Sequence, residues 1–165
     1  MESNPVIVEE TGQGAFQVRV HAQGPSFVVD EPVAMGGMGS GPTPYDLLSG
    51  ALGACTTITV RLYAERKGWV LRHVQASVAH RRDPETGRDI FDRTLYVEGD
   101  LTEEQRARLL TIAEHCPVER TLHDGSNITT RMVDDRRSPV PGPCDQTHPK
   151  AVDEACREVD PSATA

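Results

Sequence analysis

The stretch "ALGACTTITVRLYAERKGW", residues 51–69, decides the fold of this chain. It is the larger part of a helix that we predict over residues 44–67. Thr43 is a favourable N-cap, proline suits the first helical position, and Asp46 completes a capping box. Gly68 is a natural C-terminal stop. At 1.5 Å per residue such a helix is roughly 37 Å long, and its largely apolar circumference predicts a central, buried position.

Cys55 lies in the middle of this helix and is the first candidate for chemistry. The stripe that contains it is apolar and consists of Leu48, Leu52, Cys55, Thr59 and Leu62. An adjacent stripe of mostly small or aliphatic side chains consists of Leu47, Ala51, Ala54 and Ile58. Cysteine is among the most buried residue types and often only packs. A core side chain is therefore the simplest interpretation of Cys55, and a reactive thiol is the alternative.

The remaining pattern predicts strands on both sides of the helix and a second helix after them. Residues 16–29 alternate around the break "QGPS" and predict a hairpin. Residues 70–82 and 88–99 predict two long strands around the turn "DPETG". Residues 101–122 predict a helix capped by Thr102 and stopped or kinked at Pro117, and 126–135 a last strand. This order of elements indicates an α+β fold.

The C-terminal segment differs in composition from the rest of the chain. We expect one domain over residues 1–137 and a proline-rich, loosely ordered tail over 138–165, with room for a short helix at "AVDEAC". Cys144 and Cys156 are then expected to be dispensable. Together with His148 they fit no paired-cysteine spacing and lack a fourth ligand, so no metal site is predicted.

Composition and charge exclude several classes of function. The 165 residues carry a formal net charge of −8, which disfavours binding to nucleic-acid phosphates. The N-terminus lacks the basic start of a signal peptide, and no run of about 18 apolar residues predicts a membrane span. We therefore expect a cytoplasmic protein whose four cysteines are thiols rather than structural disulfides.

A second cysteine makes a redox interpretation of Cys55 attractive. Cys116 ends the stripe of the second helix that contains Leu109, Ile112 and Ala113. If the two stripes face each other, the thiols meet as a peroxidatic and a resolving cysteine.

Such a thiol needs a cation or base nearby, because a mid-helix position receives little from its own helix dipole. The sequence offers Arg19, Arg61, His115 and Arg120. His115 itself points about 100° away from its neighbour Cys116, so these two do not pair.

Two motifs resemble those of the OsmC/Ohr family, the osmotically induced and organic hydroperoxide resistance proteins. They are "GPTPYDLLSGALGACTTITVRLYAERKGW" and "VEGDLTEEQRARLLTIAEHCPVERTL", within a likeness over roughly residues 14–134. The resemblance is closest to the OsmC-like redox protein branch. It implies the family's α+β fold, antiparallel sheets wrapped around long central helices, and an intertwined homodimer with active sites at the subunit interface. It also implies Cys55 as the peroxidatic and Cys116 as the resolving cysteine, with lipoylated proteins as the usual dithiol reductant.

The sequence departs from the Ohr pattern at two positions. The turn that holds an arginine in that pattern reads "QGPS" here. The position of its glutamate, ten residues before the reactive cysteine, is Tyr45, with Asp46 following.

The leading hypothesis is a thiol peroxidase that acts on organic hydroperoxides without a cofactor or a metal. One alternative is a redox-sensing or apolar-ligand-binding dimer, and another is a structural dimer with inert cysteines. A low pKa at Cys55 is expected for the enzyme but not for the alternatives.

Overall fold

The structure is a computed structural model that describes residues 5–136 and 147–162. The chain divides into two compact units, Met1–Leu47 with Ile128–Gln146 and Leu48–Asn127 with Thr147–Ala165. The first contains a small antiparallel sheet, and the second combines helices with a long hairpin. The predicted α+β class is confirmed.

The sheet of the first unit has three short strands, β1 (Ile7–Glu10), β2 (Val18–His21) and β3 (Phe27–Val29), in that spatial order. The β2–β3 hairpin is the one that the sequence predicts, with Val18 opposite Val29. Strand β1 was not predicted, because it is only four residues long and ends in two acids. It pairs antiparallel with β2, and this long-range pairing stabilises it.

The glycine-rich segment after β3 is organised by one buried carboxylate. Asp30 accepts hydrogen bonds from the backbone N–H groups of Glu31, Met38 and Ser40 and from the Ser40 hydroxyl. These bonds satisfy the carboxylate within the loop, as a buried charge requires. The loop is thereby explained by its own internal hydrogen bonding.

The predicted last strand over residues 126–135 is wrong. This segment has no regular secondary structure, and the Met132 side chain is 98% exposed. The sequence alternates as a strand does, but a strand also needs a hydrogen-bonded neighbour. No strand of the described residues pairs with it.

Helix α1 (Pro44–Arg66) confirms the central prediction. The Asp46 carboxylate accepts hydrogen bonds from the Thr43 N–H and hydroxyl, both at 2.8 Å, and the Asp46 N–H donates back to Thr43 Oγ1. Within the second unit, one side of α1 is buried, as shown by Leu52, Cys55, Thr56, Thr59, Val60, Tyr63 and Ala64.

The opposite side of α1 is exposed in the described part of the second unit. Ala51 and Ala54 are exposed, and Ile58 is 51% exposed. By length and composition α1 is also apolar enough to span a membrane, contrary to the sequence expectation, with 44% of its apolar window buried. A core helix of a soluble protein passes the same test, so this is weak evidence for a membrane span.

Strands β4 (Val70–Arg82) and β5 (Asp89–Asp100) form the predicted long hairpin. Helix α2 (Glu103–Ala113) follows, with the predicted capping box between Thr102 and Gln105. Helix α3 (Pro117–Asp124) is a separate element, because Pro117 starts a new helix rather than bending the old one. Cys116 is therefore the N-cap of α3 and not the last residue of the α2 stripe.

Helix α4 (Thr147–Val159) corrects the prediction of a loosely ordered tail. Val152, Ala155 and Cys156 are buried in the main core of the second unit. Cys156 is thus a core side chain, and burial raises the pKa of its thiol. Residues 137–146, including Cys144, lie outside the described part of the chain.

Polar contacts fix α4 at its middle and just beyond its last turn. Arg66 pairs with Asp153 at 2.5 Å. Just beyond the helix, Asp160 binds Lys67 at 2.6 Å and accepts a hydrogen bond from the Tyr63 hydroxyl at 2.7 Å. Because these contacts accompany apolar burial, α4 is part of the core of the second unit rather than an appendage.

Candidate active site

The structure brings Cys55 and Cys116 together in the second unit. They are 2% and 0% exposed, respectively, and form a small core cluster with Leu52. Both are free thiols within this one cluster. The sequence predicts that the two thiols lie close together. The prediction places Cys116 at the end of the α2 stripe, whereas it is the N-cap of α3.

The N-terminus of α3 points at this pair of sulfurs. The Val118 N–H donates to Cys55 Sγ at 3.5 Å, and the Glu119 N–H is directed at Cys116. The first N–H groups of a helix have no partner within the helix and favour negative charge. A thiol in the middle of α1 thus receives, from another helix, the dipole that its own helix does not provide.

Arg93 of β5 supplies the cation of the site. Its guanidinium donates to Thr56 Oγ1 at 2.9 Å and pairs with the Glu119 carboxylate at 2.7 Å. Thr56 Oγ1 in turn lies 3.7 Å from Cys116 Sγ. The sequence does not single out Arg93. The alternation of a long strand shows which residues share a face, but it does not show which of them contacts a helix.

The cations considered from the sequence make other contacts. Arg61 donates to the Leu71 carbonyl, and His115 Nδ1 lies 2.7 Å from the Thr111 carbonyl oxygen. Arg120 pairs with Glu158 of α4. Arg19 lies on β2 in the first unit. Of the three in the second unit, none contacts a sulfur of the pair in the described structure.

A histidine of α4 completes the surroundings of Cys55. His148 Nε2 lies 3.3 Å from Cys55 Sγ. The sequence contained a signal for this contact, since His148, Val152, Ala155 and Cys156 recur at the helical spacing of one face. Grouping His148 with cysteines as a metal ligand obscured that pattern. Among the residues that the structure describes, no group of acids, histidines and cysteines forms a metal site.

The two thiols differ sharply in acidity. The hydrogen bond from Cys55 lowers the pKa of Cys116 to about 6, helped by the Glu119 N–H, Thr56 and the charge of Arg93. The same hydrogen bond, together with burial, raises the pKa of Cys55 well above its usual range. The pair therefore loses one proton easily and holds the second.

A low pKa is predicted for Cys55 from the sequence, but the thiol whose pKa is lowered is Cys116. Two thiols that share a proton titrate as a unit, so the acidity of the pair is the relevant property. The Glu119 N–H at the start of α3 and the charge of Arg93 both favour the thiolate form of Cys116.

A pocket of about 230 Å³ lies beside the thiols. Its apolar lining is Leu52, Phe91 and Leu122, all of which belong to or pack against the cysteine cluster. Its polar lining includes Arg93 and Glu119. The pocket thus offers an apolar wall and one ion pair next to a buried redox-capable site.

This α+β protein thus places two free thiols in one cluster, at a helix N-terminus and beside a small apolar pocket. The chain belongs to the OsmC-like protein family, whose sequence model matches residues 37–131, including both cysteines of the pair. Helix α4 lies beyond the matched residues. The comparison with curated proteins finds no match.

Solved structures of this family share the fold. An OsmC-like protein from Mycoplasma pneumoniae superposes with a TM-score of 0.61 at 16% identity, covering 74% of this chain and 88% of that one. The organic hydroperoxide resistance protein OsmC from Legionella pneumophila gives 0.52 at 22% identity, covering 71% and 88%. The organic hydroperoxide resistance protein OhrB of Bacillus subtilis gives 0.51 at 22% identity, covering 71% and 89%. At these identities the likeness establishes the fold.

Proposed function

We propose that this protein is a thiol peroxidase that reduces organic hydroperoxides and contributes to peroxide resistance, with Cys55 and Cys116 as its redox pair. The observation that carries the proposal is the placement of two buried, free thiols in one cluster at the N-terminus of α3. Membership of the OsmC-like family supports it, as does the likeness to the organic hydroperoxide resistance proteins of Legionella pneumophila and Bacillus subtilis.

The reaction needs only the two thiols, the peroxide and an external dithiol. A thiolate attacks the terminal oxygen of the hydroperoxide, so that an S–O bond forms and the O–O bond breaks. The sulfur becomes a sulfenic acid, and the departing alkoxide takes a proton to become an alcohol. The second thiol then displaces water from the sulfenic acid, which closes a Cys55–Cys116 disulfide. A dithiol such as a dihydrolipoyl group exchanges with this disulfide, restores both thiols and is itself oxidised.

The surroundings of the pair favour an organic hydroperoxide over hydrogen peroxide. Leu52, Phe91 and Leu122 form an apolar wall beside the thiols. Burying an alkyl group against such a wall gains about 0.8 kcal/mol per CH₂, an advantage that hydrogen peroxide lacks. We infer that the pocket receives the organic part of the substrate.

We also propose that the protein works as a homodimer, as the family resemblance implies. The face of α1 that carries Ala51, Ala54 and Ile58 is apolar and exposed in the single chain. The same face includes Gly50, where an added Cβ would meet no atom of this chain within 4 Å. Such a smooth apolar face fits close contact with the same face of a second copy.

The proposal is tested by peroxide consumption with defined reductants. Purified protein is supplied with cumene hydroperoxide or hydrogen peroxide, and with dihydrolipoamide or thioredoxin. We expect preference for cumene hydroperoxide, loss of turnover in both Cys55→Ser and Cys116→Ser, and turnover near wild type in Cys144→Ser. If the wild-type protein consumes no organic hydroperoxide with either dithiol, the peroxidase proposal is wrong. The pair would then be a sensor or packing pair.

A further inference from the structure

We infer that His148, which helix α4 brings to the thiol pair from outside the family-matched residues, accepts the proton of Cys55 and so makes Cys55 the attacking sulfur. This inference rests on the proposed function for its reaction, but the contact itself is independent of it. His148 Nε2 lies 3.3 Å from Cys55 Sγ. His115, the neighbour of Cys116 in sequence, lies instead against the Thr111 carbonyl oxygen.

The position of His148 is fixed by the packing of α4. Val152, one turn further along the helix, is 1% exposed and packs in the main core. Asp153 pairs with Arg66 of α1, the helix that also contains Cys55. Because α4 is tied to α1 by both apolar and ionic contacts, the imidazole is held against the sulfur rather than visiting it from solvent. A ring held in this way can exchange a proton with the thiol repeatedly.

The two sulfurs compete for one negative charge, and different groups favour each of them. Cys116 faces the Glu119 N–H, Thr56 and the charge of Arg93, which the Glu119 carboxylate partly neutralises. Cys55 faces the Val118 N–H, Thr59, Cys116 and His148. Starting from the pair with both protons, loss of the Cys116 proton places the charge at Cys116. If His148 instead takes the Cys55 proton while Cys116 keeps its own, an imidazolium–thiolate pair forms at Cys55, and Cys55 becomes nucleophilic.

The pocket lies next to Leu52, one turn before Cys55 on the same face of α1. Cys116, at the N-cap of α3, is 0% exposed, and Cys55 is 2% exposed. In this proposal a peroxide that enters along Leu52 is attacked by Cys55, and Cys116 is the resolving thiol.

The proton taken by His148 is returned within the same cycle. With Cys116 still protonated, Cys55 Sγ gives its proton to His148 Nε2, and the Cys55 thiolate then forms the S–O bond while the O–O bond breaks. The departing alkoxide takes the proton back from the imidazolium and leaves as an alcohol. His148 is neutral again before Cys116 condenses with the sulfenic acid. The histidine thus acts first as a general base and then as a general acid.

The test measures the reactivity of Cys55 itself. A variant with Cys116→Ser, Cys144→Ser and Cys156→Ala leaves Cys55 as the single thiol, and its rate of alkylation by iodoacetamide is followed from pH 5 to 10. Adding His148→Gln should slow alkylation near neutral pH about 10- to 100-fold and move the pH midpoint upward. Glu154→Gln, on the exposed side of α4, should leave the rate and the midpoint unchanged.

Two further measurements separate chemistry from folding. In the same background, His148→Gly should alkylate slowly and recover part of its rate when free imidazole is added, which a purely structural role does not predict. In the otherwise wild-type chain, His148→Gln should move the first sulfenic acid, trapped with dimedone and located by mass spectrometry, from Cys55 to Cys116. Unchanged alkylation in His148→Gln, or a failure of imidazole to rescue the glycine variant, would overturn the inference. If the wild-type protein shows no peroxide turnover while alkylation of Cys55 still depends on His148, only the proposed function is refuted.

Discussion

Shortening one side chain of α4 tests whether this helix belongs to the core. Val152 is 1% exposed and contacts the main core of the second unit. Val152→Ala removes two methyl groups, worth about 1.6 kcal/mol in transfer free energy. The residual cavity adds up to about 1 kcal/mol, and the better helix propensity of alanine returns about 0.5 kcal/mol. We therefore expect the free energy of unfolding to fall by roughly 2 kcal/mol.

Urea unfolding followed by circular dichroism measures this loss. With a slope of about 2 kcal/mol per molar urea, the midpoint should fall by about 1 M. The protein concentration must be equal in all samples, because a dimer unfolds in a concentration-dependent way. Lys150→Ala, on the exposed side of the same helix, is the matched control and should change the midpoint little.

A loss below about 0.5 kcal/mol for Val152→Ala, the usual range of surface substitutions, would refute the packing argument. It would show that α4 is not docked in solution. The contact between His148 and Cys55 would then fall with it, since only the docking of α4 holds the imidazole in place.

Three further predictions concern the thiol pair and the exposed face of α1. Thiolate absorbance at 240 nm should show one group per chain titrating with a pKa near 6, assigned to Cys116. Arg93→Met should raise that midpoint and Arg81→Met, an exposed arginine of β4, should not; equal midpoints would remove Arg93 from the site. Between about pH 6 and 9 the folded pair binds one proton fewer than the unfolded chain, so the stability due to the pair should rise with pH and decline above about 9. A pH-independent difference in unfolding free energy from the Cys55→Ser, Cys116→Ser double variant would contradict this sign. Ile58→Lys should convert the dimer to monomer in light scattering, and a wild-type protein that is monomeric at micromolar concentration would exclude the dimer.

The elements that local signals specify were predictable from the sequence. Helix α1 begins at a capping box that Thr43 and Asp46 form between themselves, and the predicted start matches the structure. The same holds for α2 and its Thr102 capping box. In each case the contacts that start the helix join residues within one helical turn, so the local sequence is sufficient to predict where the helix begins.

The errors concern segments whose structure depends on distant partners. Residues 126–135 alternate like a strand but have no paired neighbour in the described chain. The proline-rich residues before α4 predict a loosely ordered tail with room for only a short helix at "AVDEAC", although Val152, Ala155 and Cys156 follow a helical period. Whether residues 126–135 have a strand to pair with depends on other parts of the chain. The surface on which α4 packs is also formed by other parts of the chain.

The thiol site shows why activating groups are harder to transfer by motif than the thiols. A reactive sulfur needs positive charge, N–H donors or a base within a few ångströms, but any element that reaches it can supply them. Here α3 supplies the N–H groups, β5 supplies Arg93 and α4 supplies His148. None of these comes from the turn "QGPS" or from Tyr45, where the Ohr pattern places its arginine and glutamate. The absence of those two residues therefore does not argue against an activated thiol, because the cation and the base that the chemistry requires lie on other elements of the second unit.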